Sequence, residues 1–107
     1  MKFKLLILND CKELFFKVNE FIKKYPNFNY TLNQHLIKTV ISVGSNISEG
    51  NERKSDIEFA RFLNIALSSI SELEFQLSLY DDDDIEILNL IKKIRATTIN
   101  LIKNKGS

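Results

Sequence analysis

Four groupings in this 107-residue chain have side chains that could do chemistry. Cys11 and His35 are the only thiol and the only imidazole, and a thiol beside an imidazole is the smallest unit of a nucleophilic site. Asp81, Asp82, Asp83 and Asp84 form an unbroken carboxylate run of the kind that draws divalent cations. Glu72 and Glu74 are two acids close in sequence, as general acid–base work requires. The last grouping is basic: Lys2 and Lys4 near the start, Arg53 and Lys54 mid-chain, Lys103 and Lys105 at the end. Such residues contact phosphates.

Spacing removes most of these chemistries. Cys11 falls on an apolar stripe, where a thiol reads as a small core residue. The Asp run repels itself and lacks the alternating ligands and the glycine of a calcium loop. It suits a turn leading into a helix N-terminus. Glu72 and Glu74, two residues apart on a helix, point in different directions and do not converge on one substrate. They read as charge partners within the bundle or across subunits, with Arg95 a cation on an otherwise apolar row with Leu88 and Ile102. The expectation is therefore no catalytic residue, no metal site and no cofactor. The basic residues remain as candidate nucleic-acid contacts.

The elements that must position them are helical. Four segments carry apolar residues at alternating steps of three and four. The first has Leu8, Cys11, Phe15, Val18, Ile22 and Tyr25, widened by Ile7, Leu14 and Phe21. The second has Leu32, Leu36, Val40, Val43 and Ile47; the third Phe59, Leu63, Ala66, Ile70, Leu73, Leu77 and Tyr80; the fourth Ile87, Ile91, Ile94, Thr98 and Leu101. Pro26 stops the first helix. Thr31 with Gln34, Ser55 with Glu58, and Asp83 with Glu86 fit capping boxes, and Gly50 fits a C′ glycine closing the second helix. Short connections predict antiparallel neighbours. The expected fold is all-α, a single domain over residues 1–107, built as an antiparallel up-down-up-down four-helix bundle. That topology gathers Lys2, Lys4, Arg53, Lys54, Lys103 and Lys105 at one end, beside Glu49, Glu52, Asp56 and Glu58. Asn46 and Glu49 then fall in the last turn of the second helix, and Arg53 can bridge to Glu49, Glu52 or Glu58.

The stretch "VGSNISEGNERKSDIEFARFLNIALSSISELEFQL" resembles the core of the 23S rRNA intervening-sequence (four helix bundle) protein family. Asn46, Glu49, Gly50, Arg53, Ser55, Phe59, Phe62, Leu63, Ala66, Ser69, Glu72 and Glu74 carry the likeness in order, and Tyr25 with Pro26 extends it. The resemblance implies a four-helix bundle in a ring-like assembly. A related branch, the accessory subunit of diversity-generating retroelements, implies a pentamer that binds RNA and a reverse transcriptase. "YTLNQHLI" is similar to that branch, whose members are strongly basic, whereas this chain has a net charge of +1.

With 44% hydrophobic and 27% charged residues, the composition is that of a folded domain. A lone cysteine cannot form an internal disulfide and points to a reducing cytoplasm; no segment predicts a membrane span. Ile7, Leu14, Phe21, Phe16, Phe62 and Ile65 exceed one narrow seam. They imply either a wide core face or the interface of a cyclic homo-oligomer. Two functions follow: an RNA-binding or ribonucleoprotein accessory module, and a protein-interaction scaffold with no nucleic-acid partner.

Overall fold

The computed structural model describes residues 2–104, with side chains from residue 4 onward. Four helices run in order: α1 Lys2–Ile22, α2 Tyr30–Asn51, α3 Asp56–Ser78 and α4 Ile85–Lys103. Among the described residues there is no strand. The helices form an all-α bundle 44 Å long in which α1–α2, α2–α3, α3–α4 and α1–α4 pack and the diagonal pairs do not. The α2–α3 interface is the most extensive.

The helix ends follow local chemistry, with four departures from the sequence expectation. α1 ends at Ile22, where the Lys24 and Tyr25 amides donate back to the Phe21 and Ile22 carbonyls; Pro26 has no N–H to continue. α2 is capped by Asn29, not by a Thr31–Gln34 box: Asn29 is extended and its Oδ1 accepts from the Leu32 amide at 2.9 Å. α3 is capped by Ser55, whose Oγ accepts from the Glu58 amide at 3.1 Å. Glu58 does not close the box, because its carboxylate is held by Arg61. α4 is capped by Asp84, not Asp83, through the Ile87 amide at 3.1 Å.

Gly50 is the fourth departure. It does not terminate α2 at a C′ position; the helix runs through it to Asn51, with Glu52 as C-cap. A Cβ at Gly50 would lie 2.6 Å from Leu63 Cδ1 and 3.2 Å from Phe62 Cβ. The glycine is there because α2 and α3 come too close for any side chain. Gly44 serves α1 in a milder way, with Cys11 Cβ 3.4 Å from where its Cβ would sit.

The apolar rows of α2, α3 and α4 point inward as their periodicity implies: Leu36, Val40, Val43 and Ile47, the whole α3 row from Phe59 to Tyr80, and Ile87, Ile91, Ile94, Thr98 and Leu101 are buried. Leu32 packs against this core only partly buried. In α1 the centre of the stripe is displaced. Ile7, Cys11, Leu14, Val18 and Phe21 are buried, whereas Leu8, Phe15 and Ile22 are partly buried. α1 touches both α2 and α4, so its inward face is wide and centred on the row that sequence alone made secondary. Ile7, Leu14 and Phe21 therefore cannot form an interface between subunits.

Polar contacts set the register. Asn51 donates to the Lys4 carbonyl, Lys93 pairs with Asp10 and Lys17 with Glu86. Tyr80 OH donates to Asn33, and Ser42 meets Ser69. At the end carrying the α1–α2 and α3–α4 connections, Lys24 pairs with Asp82 at 2.8 Å, Tyr25 OH donates to the same carboxylate, and Asn33 Nδ2 donates to the Tyr25 carbonyl. Lys24 and Tyr25 hold the Asp82 carboxyl below the usual carboxylate range. This lock gives the "YP" residues a structural role.

Candidate functional site

The α2–α3 turn and the start of α1 meet at one end. Asn51 Nδ2 reaches the Lys4 carbonyl at 3.4 Å, and Lys4 Nζ lies over the Phe59 ring, 4.8 Å from its centroid. The Lys93–Asp10 and Lys17–Glu86 pairs run in opposite senses along α4 and α1, which brings the Lys103 turn to the same end. Lys2 lies in α1, but its side chain is outside the described residues, as is Lys105 entirely.

The cations gathered here are unequal. Arg53 Nη2 pairs with Glu49 Oε2 at 2.6 Å, and its guanidinium lies 4.8 Å from the Phe62 ring centroid. Arg61 lies 4.5 Å from the same centroid and forks onto Glu58. Glu49, Arg53, Phe62, Arg61 and Glu58 thus form one continuous chain of contacts. Arg61 first, then Arg53, holds the Glu58 carboxyl below its ordinary value. Of the three acids sequence offered Arg53, geometry selects Glu49, one helical turn back. Lys54 and Lys103 are exposed and take part in no ion pair among the described residues. The electropositive surface is therefore narrower than the basic residues of the sequence imply.

Asn46 is not in the last turn of α2. Its Nδ2 donates to the Ser42 carbonyl at 2.9 Å and to Ser42 Oγ, which meets Ser69 Oγ at 2.8 Å. This polar thread crosses the α2–α3 interface at its midpoint and fixes register. Glu74 and Arg95 make a bidentate pair across α3–α4. Glu72 is exposed and lines a cleft between α2 and α3.

The residues weighed for catalysis lie apart. Cys11 borders the α1–α2 groove, whereas His35 borders the α2–α3 cleft. Burial, reinforced by Asp10, pushes the Cys11 thiol up to about 12, so it stays protonated near neutrality and is a poor nucleophile. Among the described residues no three His, Cys, Asp or Glu side chains group as a metal site. The Asp run is divided between jobs, Asp82 in the Lys24–Tyr25 lock and Asp84 as the α4 cap.

Two features escaped sequence reading. One is an open groove between α1 and α2, bordered by Leu5, Leu8, Phe15, Phe16, Val40 and Ile41. Within it Leu5, Phe16 and Ile41 are about half exposed or more, at 60%, 65% and 49%. The other is the α2–α3 cleft, bordered by His35, Lys38, Glu72 and Gln76; the Gln76 amide oxygen is buried without a partner. Each needs two helices side by side, so no single-helix pattern signals it; the unused apolar residues of α1 were the only hint.

The sequence model for the family described as 23S rRNA-intervening sequence protein matches residues 4–104. The chain also resembles the crystal structure of a protein of unknown function from the S23 ribosomal protein family of Bacteroides thetaiotaomicron. The two share 22% identity and a TM-score of 0.82, over 94% of this chain and 98% of that one; at that identity the likeness establishes the fold. No curated protein matches. With the family model covering all four helices, the chain belongs to the 23S rRNA-intervening sequence protein family.

Proposed function

We propose that this protein is a non-catalytic, self-associating accessory module that binds RNA, with its helices running up-down-up-down. The opposite-sense contacts along neighbouring helices support the topology. The RNA reading rests on one observation: Lys54 and Lys103, exposed and unspent, share one end of a bundle whose family is described by an rRNA insertion. A cyclic assembly, a pentamer by the family resemblance, would repeat that end around its axis and multiply phosphate contacts. A reverse transcriptase is the protein partner which the same resemblance suggests. No helix of the described residues is long and apolar enough to cross a membrane, and the single cysteine supports a cytoplasmic setting.

The test separates the two cations at the turn. Lys54→Ala should weaken RNA binding and lower the salt slope by about one for each phosphate it ceases to neutralise. Arg53→Ala should act less through RNA, because its charge is already shared with Glu49. An exposed ion pair of this kind is worth about 1 kcal/mol or less, so helicity should persist in the double variant. Unchanged affinity and salt slope in Lys54→Ala would remove this end as the RNA contact.

A specific observation favours a second reading, the protein-interaction scaffold. The α1–α2 groove exposes Leu5, Phe16 and Ile41 together, and clustered exposed apolar side chains mark association surfaces. Either reading assigns self-association to this groove, with Phe16 and not Ile7, Leu14 or Phe21 as its anchor. Phe16→Ser with Ile41→Ser is expected to shift light-scattering mass towards the monomer at micromolar concentration. A wild-type chain that is already monomeric there would remove the ring.

A further inference from the structure

The α1–α2 groove runs along α1 from Leu5 to Phe16, roughly 16 Å or about three turns at the rise of an α-helix. That is the length over which a docked helix places its anchors. The α2 side carries the small residues Gly44, Ser45 and Ser48 beside Val40 and Ile41, so a second backbone can come close. Near the middle of the α1 side stands Lys12, exposed and engaged in no ion pair among the described residues. Along α1, leucines on one side and phenylalanines on the other thus flank a single unspent cation. The outward stripe of α3 has the matching pattern. Ile65, Ser68, Glu72, Phe75 and Leu79 recur at steps of three and four, opposite the buried row from Phe59 to Tyr80, and all five are exposed. Phe75 is as exposed as Phe16, at 65%. Glu72 engages no ion pair among the described residues, even with Lys38 across the α2–α3 cleft.

We propose that the α1–α2 groove receives this α3 stripe from a second copy of the chain, with Lys12 paired to the second copy's Glu72. The proposal rests on the self-association reading above and names the surface that fills the groove. The spacings from Leu5 to Leu8, Lys12 and Phe15 repeat from Ile65 to Ser68, Glu72 and Phe75. Laid alongside in the same direction, the two helices therefore bring Ile65 to Leu5, the small Ser68 to Leu8, Glu72 to Lys12, and Phe75 beside Phe15 and Phe16. In an up-down-up-down bundle α1 and α3 run the same way, so this contact gives successive copies one orientation, related by rotation about an axis roughly parallel to the bundle. Such a contact joins unlike surfaces and closes into a ring where the rotation permits. Charge disfavours the other occupants. A groove docked on its own copy about a two-fold axis would bring the two Lys12 ammonium groups together near its centre. The outward row of α4, from Ile85 through Asn89, Lys92 and Ala96 to Ile99, carries a lysine where α3 carries Glu72. Like charges set opposite each other count against both.

The experiment measures the mass of the nuclease-treated full chain by light scattering, with circular dichroism to check that each exposed change leaves the fold intact. Phe75→Ser with Leu79→Ser is expected to raise the dissociation constant about thirty-fold, the loss typical of a central aromatic anchor. Lys12→Glu and Glu72→Lys should each weaken assembly about ten-fold, and the two together in one chain should restore it. Mixing tests the joining of unlike surfaces. The Phe16→Ser with Ile41→Ser chain keeps its stripe, and the Phe75→Ser with Leu79→Ser chain keeps its groove. Each should be monomeric alone, and together they should form a one-to-one dimer that grows no further. Wild-type protein that is monomeric at micromolar concentration overturns the self-association reading and this docking with it. Assembly that the groove variant loses and the stripe variant keeps overturns the docking alone. A mixture that stays monomeric, or a charge exchange that fails to restore the mass, likewise overturns the docking and leaves self-association standing.

Discussion

Ile70→Asp is expected to cost at least about 4 kcal/mol and to leave little folded protein at 37 °C. Ile70 is fully buried near the middle of α3, in the row with Leu63, Ala66, Leu73 and Leu77. An aspartate there would lose its hydration, and the core it enters is hydrophobic, with no Lys, Arg or His among the buried described residues to receive it. The residue would either stay charged and unpaired or bind a proton at the expense of folding. Domains of this size are stable by only about 5–15 kcal/mol, so one such substitution consumes much of the margin. Ile70→Val, by contrast, removes one methylene and should cost about 1 kcal/mol. Urea denaturation monitored by circular dichroism distinguishes the two. An aspartate variant with the wild-type midpoint would mean that α3 does not present this row to the core.

Gly50→Val is expected to be the most damaging small change at the turn, at about 3 kcal/mol. Two effects oppose each other at this position. Gly50 is helical, so any side chain gains helix propensity, by up to about 1 kcal/mol for alanine and less for β-branched valine. Against that, the first added carbon would sit 2.6 Å from Leu63 Cδ1 and 3.2 Å from Phe62 Cβ. Leu63 is fully buried and cannot swing aside without opening the core, and Phe62 Cβ is fixed to the α3 backbone. Moving α3 instead would pull Phe62 from beneath Arg53 and disturb the Ser42–Ser69 contact further along the interface. Overpacking should therefore win. Thermal melts of Gly50→Ala and Gly50→Val should show a graded loss. If Gly50→Ala were more stable than wild type, helix propensity would dominate and the close approach would be softer than its distances imply. A C′ glycine predicts a different pattern, with asparagine tolerated best; here asparagine should be as harmful as any side chain of its size.

The sequence by itself determined what depends on near neighbours along the chain. The three-four spacing of α2, α3 and α4 identified their inward faces, from Val40 and Val43 to Ile91 and Ile94, because helical geometry ties sequence separation to direction. Ser55 could be placed as a cap since the amide it accepts from lies three residues on. The resemblance carried on Asn46 to Glu74 likewise led to the family. Choosing between neighbouring candidates was harder: Asn29 and Asp84 won over Thr31 and Asp83 as caps, because the helix begins where the chain leaves its extended approach. Only the tertiary structure decided the rest. α1 faces two helices at once, which moved its centre to Ile7, Leu14 and Phe21 and left Phe16 outside. Gly50 answers to Leu63 and Phe62 on another helix, and Gln76 to the cleft that α2 and α3 make together. Arg53 could be assigned to Glu49 only when the turn set its guanidinium against that carboxylate and over the Phe62 ring. These are distances between elements, and a linear pattern constrains a residue's direction about its own axis but not what the neighbouring axis brings to meet it.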